Sequence, residues 1–214
     1  MTTPFIAAAH QFLQDTLLDP AHQGAYQARY EHTLRVAQVG RRIARAEGLD
    51  EEALVIACLL HDVGYARCHT EADYDHHGAI SAAMVRAFLT SIGYDEERME
   101  SICYGIEIHT EREEDYRRPA TPMEFSVGDA DNIDRFDAFR LYLALKNEAF
   151  DSQPPQEIID LCAQRIARYQ GYKRMGLGTS TARLLWDECL DMMILFYSRL
   201  QRQMEVTMVG VADE

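Results

Sequence analysis

A histidine at His32, a His61-Asp62 pair closing an apolar run, His77 and His109 beyond it, and Asp129-Ala130-Asp131 ahead of a further helical pattern scatter imidazoles and carboxylates along the chain. Gathered from separate helices, such nitrogens and oxygens make the first shell that a first-row divalent metal requires. The chemistry this predicts is metal-assisted hydrolysis.

Each candidate sits where an apolar helical stripe would turn it inward. His32 is in register with Val36, Val39 and Ile43. His61-Asp62 ends an unbroken apolar stretch, Ala53 to Leu60, which reads as a helix buried on every side. Burying a carboxylate beside an imidazole costs several kcal/mol unless a cation or hydrogen bonds compensate. His77 is in register with Ile80, Met84 and Phe88, while His76 is in register with Ile80, Ala83 and Ala87; one of the two points inward, and His77 is favoured. His109 closes a helix whose inner stripe is Met99, Ile102 and Ile106. Asp131 aligns with Ala138, Leu141 and Leu145, and Asp129 with Ile133, Phe136 and Leu143, so both carboxylates can face inward at the start of their helix.

The elements that must position these residues are all helical. Apolar residues recur at helical spacing near 4–18, 24–47, 50–63, 77–92, 95–109, 129–150, 155–174 and 179–204, and no strand-like alternation is convincing. Breaks fall at Gly48, Gly64, Gly93 and Pro154-Pro155. Two polar segments, 64–76 and 110–126, exceed the ~4–6 residues usual for helix connections; each follows a candidate ligand and is expected to wall a cleft. From about Glu205 no pattern demands order.

At 214 residues and 47% apolar content the chain predicts one all-α domain, a single helical bundle over 1–214. A net charge of −14, from 21 Lys+Arg against 35 Asp+Glu, argues against a nucleic-acid partner, which clustered basic residues would bind. Five widely spaced cysteines (Cys58, Cys68, Cys103, Cys162, Cys189) lack any C-x-x-C pair and read as buried thiols of a reducing compartment. With neither a signal-type N-terminus nor a membrane-spanning run, the expected location is cytoplasmic, with no membrane partner.

His32, Leu59-Leu60-His61-Asp62-Val63-Gly64 and Gly128-Asp129-Ala130-Asp131-Asn132-Ile133-Asp134 together resemble the HD superfamily of metal-dependent phosphohydrolases. The likeness spans residues 25–150, leaving helices over 155–204 to complete the bundle. It implies His32, His61, Asp62 and Asp131 as core ligands, with Asp129 the competing assignment. Branches of the superfamily that add two histidines between the pair and the last aspartate hold two metals, and His77 and His109 occupy those positions. The chain departs from the cyclic-di-nucleotide branch, which carries a Gly-Tyr-Pro signature, and from the alarmone hydrolases, which carry a Glu-Asp pair.

The implied activity is hydrolysis of a phosphate ester or anhydride in a small molecule, foremost a nucleotide. His61 and Asp62 would carry the catalysis, with one or two divalent ions (Fe, Mn, Ni, Co or Zn, or else Mg) as cofactor. Arg67, Arg112, Arg117, Arg118 and Arg135 are candidates to meet an anionic substrate, and Arg135, beside Asp131 and Asp134, is preferred as the phosphate contact. A dinuclear-iron oxygenase on the same scaffold and a non-enzymatic ligand-sensing helical module are the rival classes. The amphipathic C-terminal pattern from Leu184 to Phe196 suits covering the core or, alternatively, a homo-oligomer interface.

Overall fold

Residues 3–148 and 150–209 are described by the computed structural model. Every regular element among them is helical, ten α-helices joined by turns of which several are 3-10, as an all-α chain requires. Contacts divide the described residues into two compact units: one holds those up to Asp134 together with Leu177–Ala182, the other those within Arg135–Gly176 and from Arg183 on.

In the first unit, helix α1 (Pro4–Leu17) starts on Thr3, whose hydroxyl accepts from Ile6 N–H, and buries Ile6, Ala9, Leu13 and Leu17 along one face. Helix α2 (Gln27–Glu47) carries His32, Val36, Gly40 and Ile43 on its inner face and stops at Gly48, whose φ of +67° is a left-handed cap. Helix α3 (Glu51–Leu60) is capped by Asp50, and every residue from Ala53 to Leu60 is buried. Helices α2 and α3 pack closely at Gly40, where an added Cβ would come 2.6 Å from Cys58 Sγ. The short α4 (Glu71–Asp75) begins in a capping box between Thr70 and Asp73. Helix α5 (His77–Ser91) packs on α6 (Glu96–Ile108), which packs in turn on α3.

Helix α7 (Pro122–Arg135) corrects the sequence expectation. A helix over 129–150 would place Asp129 and Asp131 in its first turn. Instead the helix starts at Pro122, where Glu124 accepts from Thr121 N–H and donates its own N–H to Thr121 Oγ1. Thr121-Pro122-Met123-Glu124 is a capping box with proline at the first helical position, a start signal inside the segment expected to be loop. The aspartates therefore lie well inside the helix, and its N-terminal dipole does not account for them. The same correction shortens the second polar segment, and the first contains a 3-10 turn (Val63–Arg67) as well as α4.

In the second unit the chain breaks after Arg135. Phe136 turns edge-on to Trp186, with ring centroids 5.1 Å apart, and Asp137 Oδ1 accepts from Ala138 N–H to open α8 (Ala138–Glu148). Helix α9 (Pro155–Tyr172) buries Ile158, Cys162 and Tyr169. From Arg183 on, helix α10 (Ser180–Val209) buries Trp186, Leu190, Met193 and Tyr197 and runs past the expected end near 204. All five cysteines are free and buried. No helix among the described residues is long and apolar enough to cross a membrane.

Candidate metal centre

Five helices deliver the polar groups. His32 projects from α2 and is 8% exposed, while His61, at the end of α3, is fully buried and Asp62 nearly so. His77 opens α5, His109 ends α6, and Asp131 lies within α7. These six residues fall into three overlapping groups whose ligand atoms lie within 4.8 Å of one another: His32-His61-Asp62, His61-His109-Asp131 and Asp62-His77-His109. Asp62 is the hub. Its Oδ2 lies 3.3 Å from His61 Nε2 and 3.8 Å from His32 Nε2, and its Oδ1 lies 3.1 Å from His77 Nε2 and 3.6 Å from His109 Nε2.

Local backbone geometry aims three of the imidazoles. His61, His77 and His109 each turn Nδ1 to the carbonyl three residues earlier, on Cys58, Tyr74 and Ile106, at 2.8, 2.6 and 2.6 Å. A carbonyl only accepts, so each Nδ1 carries the hydrogen and each neutral ring offers a lone pair at Nε2, toward the cluster. His61 Nε2 is buried and has no hydrogen-bond partner. A buried ring nitrogen left in that state among carboxylates is what a cation would satisfy, so the residues fit a divalent metal.

The alternatives left open by periodicity are separated in space. His77 reaches Asp62 while His76 is exposed. Asp131 Oδ1 lies 2.9 Å from His32 Nε2 and 3.7 Å from His61 Nε2, whereas Asp129 Oδ2 accepts from Gly178 N–H. Arg135 is exposed at the end of α7 and is the first residue of the second unit. Arg117 and Arg118 are engaged with Glu100 and Glu124, and Arg112 with Glu114. Arg67 is exposed.

Three residues were missed. Asp134 Oδ2 takes His32 Nδ1 at 2.7 Å and is itself held by Arg35, whose Nε donates to Oδ1 at 2.8 Å. Arg29 Nη1 donates to Asp62 Oδ2 at 2.6 Å with its guanidinium 3.9 Å over the Tyr65 ring. Helical spacing carried the signal: Asp134 is three residues after Asp131, and Arg29 three before His32, on shared faces.

Charge balance follows from this geometry. Burial lowers the His61 imidazole, but the Asp62 and Asp131 carboxylates outweigh it and raise the group to about 10. His32 is raised as well, its bonds to Asp131 and Asp134 overcoming burial. Burial raises Asp62 and Asp131, yet the facing histidines hold both below the ordinary carboxylate range. Both shifts favour a proton on His61 and on His32 as long as no cation takes its place.

The sequence matches the HD domain family over residues 29–138. The chain belongs to that family. Two curated relatives of this HD-domain chain are named deoxyguanosinetriphosphate triphosphohydrolase-like proteins. The one from Azorhizobium caulinodans is 51% identical over 45 residues, covering 21% of this chain and 11% of that protein. The one from Jannaschia sp. strain CCS1 is 42% identical over 64 residues, covering 29% and 15%. The matches thus span under a sixth of the relatives' length. A crystal structure described as a predicted HD superfamily hydrolase from an uncultured Thermotogales bacterium superposes with a TM-score of 0.65 at 20% identity, over 94% of this chain and 93% of that one. At that identity the likeness speaks for the fold.

Proposed function

We propose that this HD-domain chain is a divalent-metal-dependent phosphohydrolase acting on a phosphate ester or anhydride of a small molecule, with nucleotides the leading class. The observation that carries the reading is Asp62, whose two oxygens face two different pairs of imidazoles. That arrangement supports His32, His61, Asp62 and Asp131 as ligands of one ion and Asp62, His77 and His109 as ligands of a second. The short matches to triphosphohydrolase-like proteins support the nucleotide class.

A divalent ion, when bound, acidifies water near neutral pH and offsets charge on phosphoryl oxygens. The chain's own residues do the rest. Arg35 fixes Asp134, and Asp134 fixes the His32 ring, a relay of the kind that sets ligand orientation and basicity. The carbonyls of Cys58, Tyr74 and Ile106 hold the other imidazoles in the ligating tautomer. Arg29, about one-third exposed and stacked on Tyr65, is placed to meet a phosphate oxygen while neutralising Asp62. Arg135 is the second proposed phosphate contact, from its place beside Asp131 and Asp134 in the sequence.

The test is metal content per chain by mass spectrometry on protein purified without chelator, beside Asp62→Ala, followed by phosphate and pyrophosphate release from a panel of nucleotides. One or two equivalents of a transition ion lost in Asp62→Ala, with metal-dependent release from a nucleotide, is the expected result. Metal without phosphohydrolysis but with oxygen uptake on a polyol or phosphonate would favour the dinuclear-iron oxygenase. No metal after reconstitution, with Asp62→Ala indistinguishable from wild type, would leave the sensing module.

A further inference from the structure

The outer face of α10 is aliphatic at its centre and both ends and opposite in charge on either side of that centre. On the helix of thirty residues, Leu185, Trp186, Leu190, Met193 and Tyr197 face inward and are buried. The opposite stripe, Leu184, Glu188, Asp191, Leu195, Arg199, Arg202 and Val206, is exposed at every position. Leu184, Leu195 and Val206 are 66, 53 and 69% exposed, unusual for aliphatic side chains aligned on one face. Positions 4, 7 and 11 residues before Leu195 carry Asp191, Glu188 and Leu184; positions 4, 7 and 11 after it carry Arg199, Arg202 and Val206. Offsets of 4, 7 and 11 keep all seven on one helical stripe.

We infer that this face pairs with the same face of a second copy of the chain, antiparallel about a twofold axis through Leu195. An isologous contact requires a surface complementary to itself under a half-turn. Here the half-turn sets Leu195 on Leu195, Asp191 on Arg199, Glu188 on Arg202 and Leu184 on Val206, so each acidic position meets a basic one and each aliphatic one an aliphatic. A parallel pairing in register would instead set Asp191 on Asp191 and Arg199 on Arg199, so the charges select the antiparallel arrangement. Lys173 bonds Asp191 Oδ1 within the chain; a carboxylate accepts on both oxygens, and the pairing with Arg199 is compatible with that bond.

The stripe from Leu184 to Val206 is about 33 Å long at ~1.5 Å per residue. A face of that length and one helix wide buries on the order of 700 Å² in total, below the ~1,200 Å² of a standard interface, so association is reversible and concentration-dependent. Rim charges add little affinity, and the aliphatic positions supply most of it while the charges set the register.

Sedimentation velocity on the full chain, from low micromolar to several hundred micromolar, is expected to show a monomer–dimer shift. Leu195→Arg should weaken it about tenfold or more. Asp191→Arg should weaken it too, and adding Arg199→Asp in the same chain should restore it. Mild oxidation reads the register directly, since every native cysteine is buried. Leu195→Cys should cross-link to itself, Leu184→Cys alone should not, and a mixture of Leu184→Cys with Val206→Cys should. A helical circular-dichroism spectrum equal to wild type establishes that each variant folds. A monomer at every concentration, a dimer insensitive to Leu195→Arg, or Leu184→Cys cross-linking alone as readily as Leu195→Cys would overturn the proposal.

Discussion

At the scale of single residues, Asp62 and Asp134 bear on the candidate centre differently. Asp62 touches four imidazoles and Arg29, so Asp62→Ala should abolish metal retention outright, read as metal equivalents per chain. Asp134 meets the Nδ1 edge of His32, away from the cluster, and is held there by Arg35. Asp134→Asn should leave metal bound but lower affinity by about 10–100-fold, as for other groups that orient a ligand from behind, measured by competition with a chelating dye. An affinity unchanged by that substitution would remove Asp134 from the relay. The raised His61 implies a further outcome. With the group near 10 in the metal-free chain, loading near neutral pH must displace a proton. Titration calorimetry of the metal in buffers of different ionisation enthalpy should therefore show proton release, falling away where the pH exceeds the His61 value.

At the scale of elements, the helix that delivers His61 and Asp62 is held at its start. Asp50 caps α3 through Ala53 N–H and also receives Arg98 on both oxygens, at 2.7 Å each. Burial raises the Asp50 carboxyl, but the Arg98 guanidinium and the cap N–H outweigh it and hold the group below its ordinary value. A depressed carboxylate contributes stability that is present above its unfolded-state value and is lost as pH falls through the folded one. The contribution should therefore be intact near neutral pH and disappear only in acid, below about 4. Asp50→Ala should cost about 1–2 kcal/mol at pH 7, the cap giving most and the half-exposed ion pair little. In urea denaturation the gap from wild type should close in acid. Gly40 tests the α2–α3 contact: Gly40→Ala drives a Cβ against Cys58 Sγ and should cost about 1–3 kcal/mol through overpacking, partly offset by better helix propensity.

At the scale of the whole molecule, the proposed metal should be linked to the fold, because its candidate ligands come from five helices that meet only in the native state. A ligand that binds the folded chain alone stabilises it by about 2.7 kcal/mol at a hundred times its Kd. Chelator should therefore lower the melting temperature of wild type and leave Asp62→Ala unmoved, in calorimetric scans with and without added ion. Equal melting temperatures for loaded and stripped wild type would break the link between site and fold.

Much of this was legible from order and period. The all-α class and the inward faces bearing His32, His109 and the 129–131 aspartates followed from period, because one buried face imposes a spacing that local sequence records, and the fully buried α3 followed from its unbroken apolar run; the ligand series His32, His61-Asp62 and Asp131 was what the HD resemblance implied. Two of the boundary errors have a local remedy: the capping box at Thr121-Pro122-Met123-Glu124 and the Asp137 cap that splits 129–150 are both short-range signals. The rest was not recoverable by any local reading. His77 over His76, Asp131 over Asp129, Arg29 on Asp62 and Asp134 behind His32 depend on which side chains separate helices bring within hydrogen-bond reach. Sequence alone determined which chemistry the residues could supply and the helices that bear them. Only tertiary structure decided which atoms meet, because a contact between residues as far apart as His32 and Asp134 is set by helix packing, which no local period encodes.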